Sequence, residues 1–320
     1  MVSKVTPTTM MSASRIPALL GLSKYRTRND ELRATIDAYQ GIEQAWEGNE
    51  MTGWGNMLEP IILREAAKRL QLRDLELEHP EARYHSELPL CCSLDGCADG
   101  GGQIIESDPD AGIFVVGADR IELAGIGALE AKTTKHYPED FPALDRGPLQ
   151  LQAQMDIIGA KWGAVCILYG GVEMRIFLFQ PHEQTVAMIH RAVVEFERKV
   201  EFWQTTGAID WYPPESSDDV NNIHPMATEE SIDLPAHASV LIGDIRQAQT
   251  DVEEASARKT KAETSLKQLL GSAVEGRIGS LIVRWPMRHY KAVAATTKVV
   301  PAKEAYSVRQ QTLTIKEAKK

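Results

Sequence analysis

Residues 126–132, Ile-Gly-Ala-Leu-Glu-Ala-Lys, end an apolar run on two opposite charges spaced two apart. A run of this kind reads as a strand, and a strand sends alternate side chains to opposite faces. Glu130 and Lys132 are therefore expected on one face. Upstream, Leu88 to Cys92 is a second strand-like run, followed by Ser93-Leu94-Asp95-Gly96. If the two strands pair, two carboxylates and one ammonium meet at one spot. Carboxylate oxygens suit Mg²⁺ or Mn²⁺. A lysine beside such an ion can orient water and stabilise developing negative charge. The set is suited to phosphodiester hydrolysis, although a Glu-x-Lys strand edge is more often a solvated surface pair.

The rest of the chain limits the classes available. Its 320 residues can bury one large core or two smaller ones. No apolar run approaches the length of a membrane span, and residues 1–11 lack the apolar centre of a secretory signal, so the reading is a cytoplasmic protein. Cys91, Cys92, Cys97 and Cys166 contain no CxxC pair, which favours buried thiols over a disulfide or iron–sulfur framework. A net charge of −10 argues against a protein that coats nucleic acid. It is compatible with a site whose carboxylates are neutralised by metal. The charge is uneven: residues 277–320 hold ten Lys/Arg against two Glu, and Lys24, Arg26, Arg28 and Arg33 form a second basic cluster.

Along the chain, helices are expected at 14–20, at 30–39 and at 57–72, the last with Pro60 in its first turn and Glu59 near its start. Trp54 falls in a glycine-flanked loop, where it could stack on a base. Strands follow, with a glycine- and acid-rich loop or hairpin at 99–112. Helix is expected at 149–160. Two strands flank Gly170-Gly171, a hairpin signal, and an amphipathic helix spans 182–205. Residues 210–227 read as a linker. Beyond them Leu241, Ile245, Ala248, Val252, Ala255, Lys259, Ala262, Leu266 and Leu269 alternate steps of four and three, a heptad stripe. Short strands are expected at 278–284 and 290–294. The division is thus 1–209, a linker at 210–230, and a C-terminal extension over 231–320 with a long heptad-patterned helix and a small basic β segment.

The order α-β-β-β-α-β, with Glu59 on the leading helix, resembles the PD-(D/E)XK nuclease core. Within that group the chain is similar to the YqaJ-like viral recombinase family, which includes the lambda-type phage exonucleases. The resemblance rests on Ser14 to Tyr25, on Gly55-Asn56-Met57-Leu58-Glu59-Pro60, on Ser93-Leu94-Asp95-Gly96, on Leu129-Glu130-Ala131-Lys132-Thr133 and on Leu149-Gln150-Leu151-Gln152-Ala153-Gln154-Met155. It implies Mg²⁺-dependent (or Mn²⁺-dependent) digestion of one strand of linear duplex DNA, 5′ to 3′, through two ions. The exposed strand would pass to a single-strand annealing protein, and a trimeric ring would enclose the substrate. Carried over by position, Asp95, Glu130, Glu59 and the Ala131 carbonyl would hold metal, Lys132 would position or activate water, and Gln150 would contact the site. Ser14, Arg15, Lys24, Arg26, Arg28, Trp54 and Gln154 are the candidates for touching DNA. The interval from Asp95 to Glu130 leaves room for an inserted hairpin. It makes Asp119, 11 residues before Glu130, a rival ligand, with Asp99 another; the Asp-Gly context favours Asp95. No arginine precedes Ser14 to hold a 5′-phosphate, so Arg15, Arg26 or Arg28 would take that place. A PD-(D/E)XK endonuclease and a non-catalytic DNA-binding scaffold are the alternatives.

Overall fold

The computed structural model describes residues 6–42, 49–77, 81–226, 228 and 230–287. The chain divides into two compact units, Met1–His224 and Pro225–Lys320. The first opens with the short strand β1 (Met11–Ser12), a 3₁₀ turn at Ala13–Arg15 and the one-turn helix α1 (Ile16–Leu19). Helix α2 (Arg28–Tyr39) starts on a capping box: Thr27 accepts from the Asp30 amide while the Asp30 carboxylate accepts from Thr27. Helix α3 (Glu50–Arg69) follows, then β2 (Arg73–Leu77), β3 (Arg83–Tyr84), β4 (Leu90–Cys92) and β5 (Gly96–Asp99). The insertion expected after Asp95 comprises β6 (Gln103–Glu106), β7 (Ile113–Val115) and β8 (Arg120–Leu123). Strands β6 and β8 pair with each other, while β7 leaves them to join the edge of the main sheet. The chain continues through β9 (Ile126–Thr134), α4 (Pro148–Ile158), β10 (Gly163–Tyr169), β11 (Glu173–Phe179), α5 (Glu183–Thr206) and α6 (Ser217–Ile223).

The fold is mixed α/β. A six-stranded sheet runs β2-β5-β9-β10-β11-β7, and β1-β4-β3 form a smaller sheet. Strands β9 and β10 are parallel and joined by α4. Strand β10, Gly-Ala-Val-Cys-Ile-Leu-Tyr, is apolar throughout because both of its faces are covered. The residues of β10 and β11 alternate between two cores. Val165, Ile167, Tyr169 and Phe177 join residues of α1, α2, α4 and α5, whereas Ala164, Cys166, Ile176 and Leu178 join Ile62, Leu63, Ala66 and Leu70 of α3 and its exit. Gly170 and Gly171 turn β10 into β11 with φ of +57° and +76°, the left-handed pair that a tight hairpin requires. The α5 stripe Ile189, Val193, Phe196 and Val200 is buried at helical spacing, and Gly207 ends the helix in the left-handed region.

Two expectations are corrected. Helix α3 begins at Glu50, not 57, because the Asn49 side chain accepts from the Thr52 amide and carries the helix through Gly53 and Gly55. Trp54 is therefore helical, Pro60 lies inside the helix, and Glu59 sits mid-helix and not near its start. The segment read as linker from 210 belongs in large part to the first unit. Tyr212 is buried, the Asn29 amide donates to the Tyr212 carbonyl and to Asp219, and the carboxylate of buried Asp219 also accepts from the Glu215 amide. The four cysteines, by contrast, are free and buried as expected, and burial with neighbouring Cys91 and Glu130 pushes the Cys92 thiol up to about 12.

The second unit holds α7 (Ala238–Leu270) and a hairpin of β12 (Glu275–Ile278) and β13 (Leu281–Arg284). The expected strand at 290–294, and the basic segment from 288 onward, lie outside the described residues. Among the described residues no helix is long and apolar enough to cross a membrane.

Candidate active site

Strand β5 pairs antiparallel with β9, Gly96 opposite Leu129 and Cys97 opposite Ala128. One further step along that register brings Asp95 beside Glu130, and the Asp95 Oδ2 accepts from the Ala131 amide at 2.9 Å. Lys132, two residues on, shares the face of Glu130 and donates to its Oε1. The Lys132 Nζ lies 3.3 Å from Gln150 Oε1 on α4. Gln154, one turn along the same helix, donates to Glu130 Oε2 at 2.7 Å and to the Ser93 carbonyl at 3.3 Å. Glu130 is fully buried. Asp95, Glu130, Ala131, Lys132, Thr133, Gln150, Glu59 and Ser14 line one cleft of about 400 Å³, closed on another side by Met51, Thr52, Gly55, Asn56 and Ile62 of α3.

The electrostatics of this cleft are lopsided. Three carboxylates face one ammonium. Burial and the neighbouring Glu130 raise the Asp95 carboxyl well above the usual carboxylate range, although Lys132 and the Ala131 amide pull the other way. Burial alone would lower Lys132, but Glu130 and Asp95 outweigh it and raise the ammonium further. A buried group of acids with a single compensating charge is a poor arrangement for the bare chain. A hard divalent cation relieves it, and the donors at hand are all oxygens. Glu59, Asp95, Glu130 and the Ala131 carbonyl therefore fit Mg²⁺ or Mn²⁺.

The rivals fall elsewhere. Asp119 is exposed in the turn before β8 and does not line the cleft. Asp99 caps the Gly101 amide at the far end of β5. Gln152 points to the other face of α4, where it donates to the Gln180 carbonyl and accepts from the His182 amide.

The DNA-facing candidates divide. Ser14 lines the cleft and Lys24 is exposed. Trp54 is exposed on α3 but does not line the cleft. Arg15 is a correction: its guanidinium is held by Glu31, by the Thr8 and Met10 carbonyls and by Thr35, so it ties the N-terminal strand to α2 and has no donor left for phosphate. Arg26 pairs with the same Glu31 at 2.6 Å, and Arg28 with Glu215 at 2.6 Å over the Tyr212 ring. Neither of these two is buried, so both keep partial access to solvent.

Sequence reasoning missed a His–Asp–His cluster, because its members are far apart in the chain. His85, Asp156 and His190 bring their ligand atoms within 4.8 Å of one another, a spacing that could hold a metal ion. None of the three lines the cleft. The hydrogen bonds favour another role. His85 Nδ1 accepts from the Glu87 and Leu88 amides, which leaves the ring proton on Nε2, aimed at Asp156. A ring in that tautomer has no Nε2 lone pair for a metal. With His190 Nε2 at 2.6 Å from the same Asp156 oxygen, the cluster is a knot tying the segment after β3 to α4 and α5.

Residues 6–160 match the family model of the YqaJ-like viral recombinase domain. No curated protein sequence matches the chain. Among solved structures it is similar to the alkaline exonuclease LHK-Exo from Laribacter hongkongensis, at 15% identity over 63% of this chain and 94% of that one, with a TM-score of 0.44. It is also similar to a phage-related exonuclease from Haemophilus somnus 129PT, at 11% identity over 62% and 96% of the two chains, with a TM-score of 0.43. The matched segment holds Glu59, Asp95, Glu130, Lys132, Gln150 and Gln154 together. The match to the YqaJ-like model covers just under half of the chain.

Proposed function

We propose that this protein is a Mg²⁺-dependent exonuclease that digests one strand of linear double-stranded DNA, 5′ to 3′, in phage-type recombination. The observation that carries the reading is one cleft in which Glu59, Asp95 and Glu130 converge with Lys132 inside a YqaJ-like domain. Asp95, Glu130, Glu59 and the Ala131 carbonyl are the residues that would hold metal. A divalent ion supplies charge neutralisation at the scissile phosphate and, in a pair, help to the attacking water and the leaving oxygen.

The chain's own groups supply the rest. Lys132 is held as an ammonium by Glu130 and Asp95. In that state it donates hydrogen bonds and does not accept a proton, so its part is to orient water and offset charge on phosphate oxygens. Gln150 fixes the ammonium from α4, and Gln154 fixes the carboxylate. Ser14 and Lys24 offer donors to the DNA backbone, with Arg26 and Arg28 at the margin. The digested duplex would leave single strand for an annealing protein in the bacterial cytoplasm, and a ring of three copies would hold the enzyme on its substrate.

The test is an end-labelled linear duplex, with and without a 5′-phosphate, incubated with Mg²⁺ beside a covalently closed circle. Shortening of one strand from its 5′ end with the circle intact is expected. Nicking of the circle would move the assignment to an endonuclease, and no cleavage with Mg²⁺ or Mn²⁺ would remove it.

A further inference from the structure

Helix α7 is 33 residues long and buries none of them. Its heptad stripe is open to solvent, from 37% exposure at Ile245 to 83% at Leu269. The β12–β13 hairpin lies at its C-terminal end, where Lys267 reaches the Trp285 ring, and it leaves the stripe uncovered. A helix this long with an unpaired apolar seam requires a partner.

From the seam we infer that a second copy of this chain covers it, as an antiparallel two-stranded coiled coil through α7. The seam has two unlike edges. One carries Ala238, Ile245, Val252, Lys259 and Leu266, the other Leu241, Ala248, Ala255, Ala262 and Leu269. Bulk on the first edge coincides with alanine on the second. In an antiparallel pair the two edges face each other. With the two-fold axis between residues 253 and 254, the centre of α7, the whole helix overlaps its mate. Leu241 then meets Leu266, Ile245 meets Ala262, Val252 meets Ala255 and Lys259 meets Ala248. The small Ala248 leaves the lysine stem room to run along the seam with its ammonium in water. The flanking positions agree, since Asp251 of each copy comes beside Arg258 of the other.

The parallel alternative is poorer. It offers one ion-pair type, Arg258 to Glu263, but sets Lys259 against Lys259. It also stacks alanine on alanine in three layers between layers of paired Ile, Val and Leu. Such layers cannot all be close-packed at one helix separation.

Sedimentation of the full chain at micromolar concentration tests this. Val252→Glu with Ala255→Glu is expected to halve the mass while helical circular dichroism persists. Arg258→Asp is expected to weaken association tenfold or more, and Asp251→Arg with Arg258→Asp to restore it to within threefold. Cross-linking fixes direction, and the native cysteines are all buried and silent. A mixture of Ile245→Cys and Ala262→Cys chains should cross-link with a short bismaleimide, and neither should alone, since like sites would stand about 25 Å apart along the axis. Two rings joined pairwise through α7 would agree with the proposal. A full chain that sediments as a monomer, as when residues 288–320 or an unrelated protein cover the seam, or as a lone trimer, in which one α7 would stay unpaired, would overturn it. So would a mass unmoved by the double glutamate variant, or self-linking of Ala262→Cys.

Discussion

Gln154 donates its side-chain amide to Glu130, 2.7 Å from Nε2 to Oε2, one turn beyond the residue that meets Lys132. Its own carbonyl Oε1 is buried with no hydrogen-bond partner among the described residues. A buried polar atom left unpaired lowers stability by about 1–3 kcal/mol. Gln154 is tolerated at that cost, and the gain is a fixed orientation for the one fully buried acid of the cleft.

Replacing Gln154 by Met should therefore separate stability from metal binding. The melting temperature is expected to change little, because losing the donor to Glu130 and removing the orphan Oε1 act in opposite directions, while Mg²⁺ affinity falls about 10–100-fold, the usual effect of removing a group that orients a ligand. Isothermal titration and a thermal melt on one sample decide it. A lower melting point with unchanged affinity would make Gln154 a packing residue only.

Glu130→Gln and Lys132→Ala should each reduce cleavage by about 10²–10³ or more, the scale for losing a preorganised charge at a reacting phosphate. Circular dichroism should stay native. Single-turnover rates on linear duplex are the measurement, and wild-type rates in both variants would remove the site assignment.

The raised Asp95 carboxyl ties metal binding to pH. Its folded pKa lies above the unfolded value, so the metal-free native state holds this proton more tightly. That contribution is present in acid and is lost as pH rises through the folded pKa. Metal displaces the proton. The Mg²⁺-induced rise in melting temperature should then be larger at pH 8 than at pH 5.5. Asp95→Asn should melt higher than wild type at pH 8 without metal and should abolish the Mg²⁺-dependent rise. Equal Mg²⁺ shifts at both pH values in the wild type would contradict the scheme.

Arg15→Ala is expected to behave as a stability variant. It removes the clamp on buried Glu31 and Thr35, at a cost of about 1–3 kcal/mol. The salt dependence of DNA affinity should not change. Lys24→Ala should do the reverse, flattening the salt slope by about 1 if the ammonium meets phosphate. Filter binding across a salt series, with melts alongside, separates them.

Gly127→Ala tests the sheet. A Cβ there would lie 2.2 Å from the Trp162 ring, which itself donates to the Gly125 carbonyl. Overpacking of this kind costs about 1–3 kcal/mol, and about 2–4 °C of melting temperature goes with each kcal/mol in a body of this size. An unchanged melting temperature would mean that the ring and strand move apart freely.

Some of the site was legible from local rules. Glu130 and Lys132 share a face because a strand repeats every two residues. Gln150 and Gln154 share one because a helix repeats near four. Local rules failed where distant partners intervene. Gly53 and Gly55 read as a loop, yet the Asn49 cap and the packing of Ile62 and Leu63 hold them in α3. Residues 211–223 read as linker, yet Asn29 and Asp219 dock them. Arg15 read as a phosphate ligand, because nothing near it in the chain announces Glu31 or Thr35.

Taken by itself, the order of residues determined which side chains lie together on each strand and helix, since those periods follow from backbone geometry. It also determined the heptad seam of α7. Which acids meet was decided only by the tertiary structure. Asp95, and not Asp119, stands by Glu130 because the β5–β9 register sets Gly96 opposite Leu129, while the inserted hairpin carries Asp119 out to water. Register and burial depend on how the whole sheet closes, and no local window contains that information.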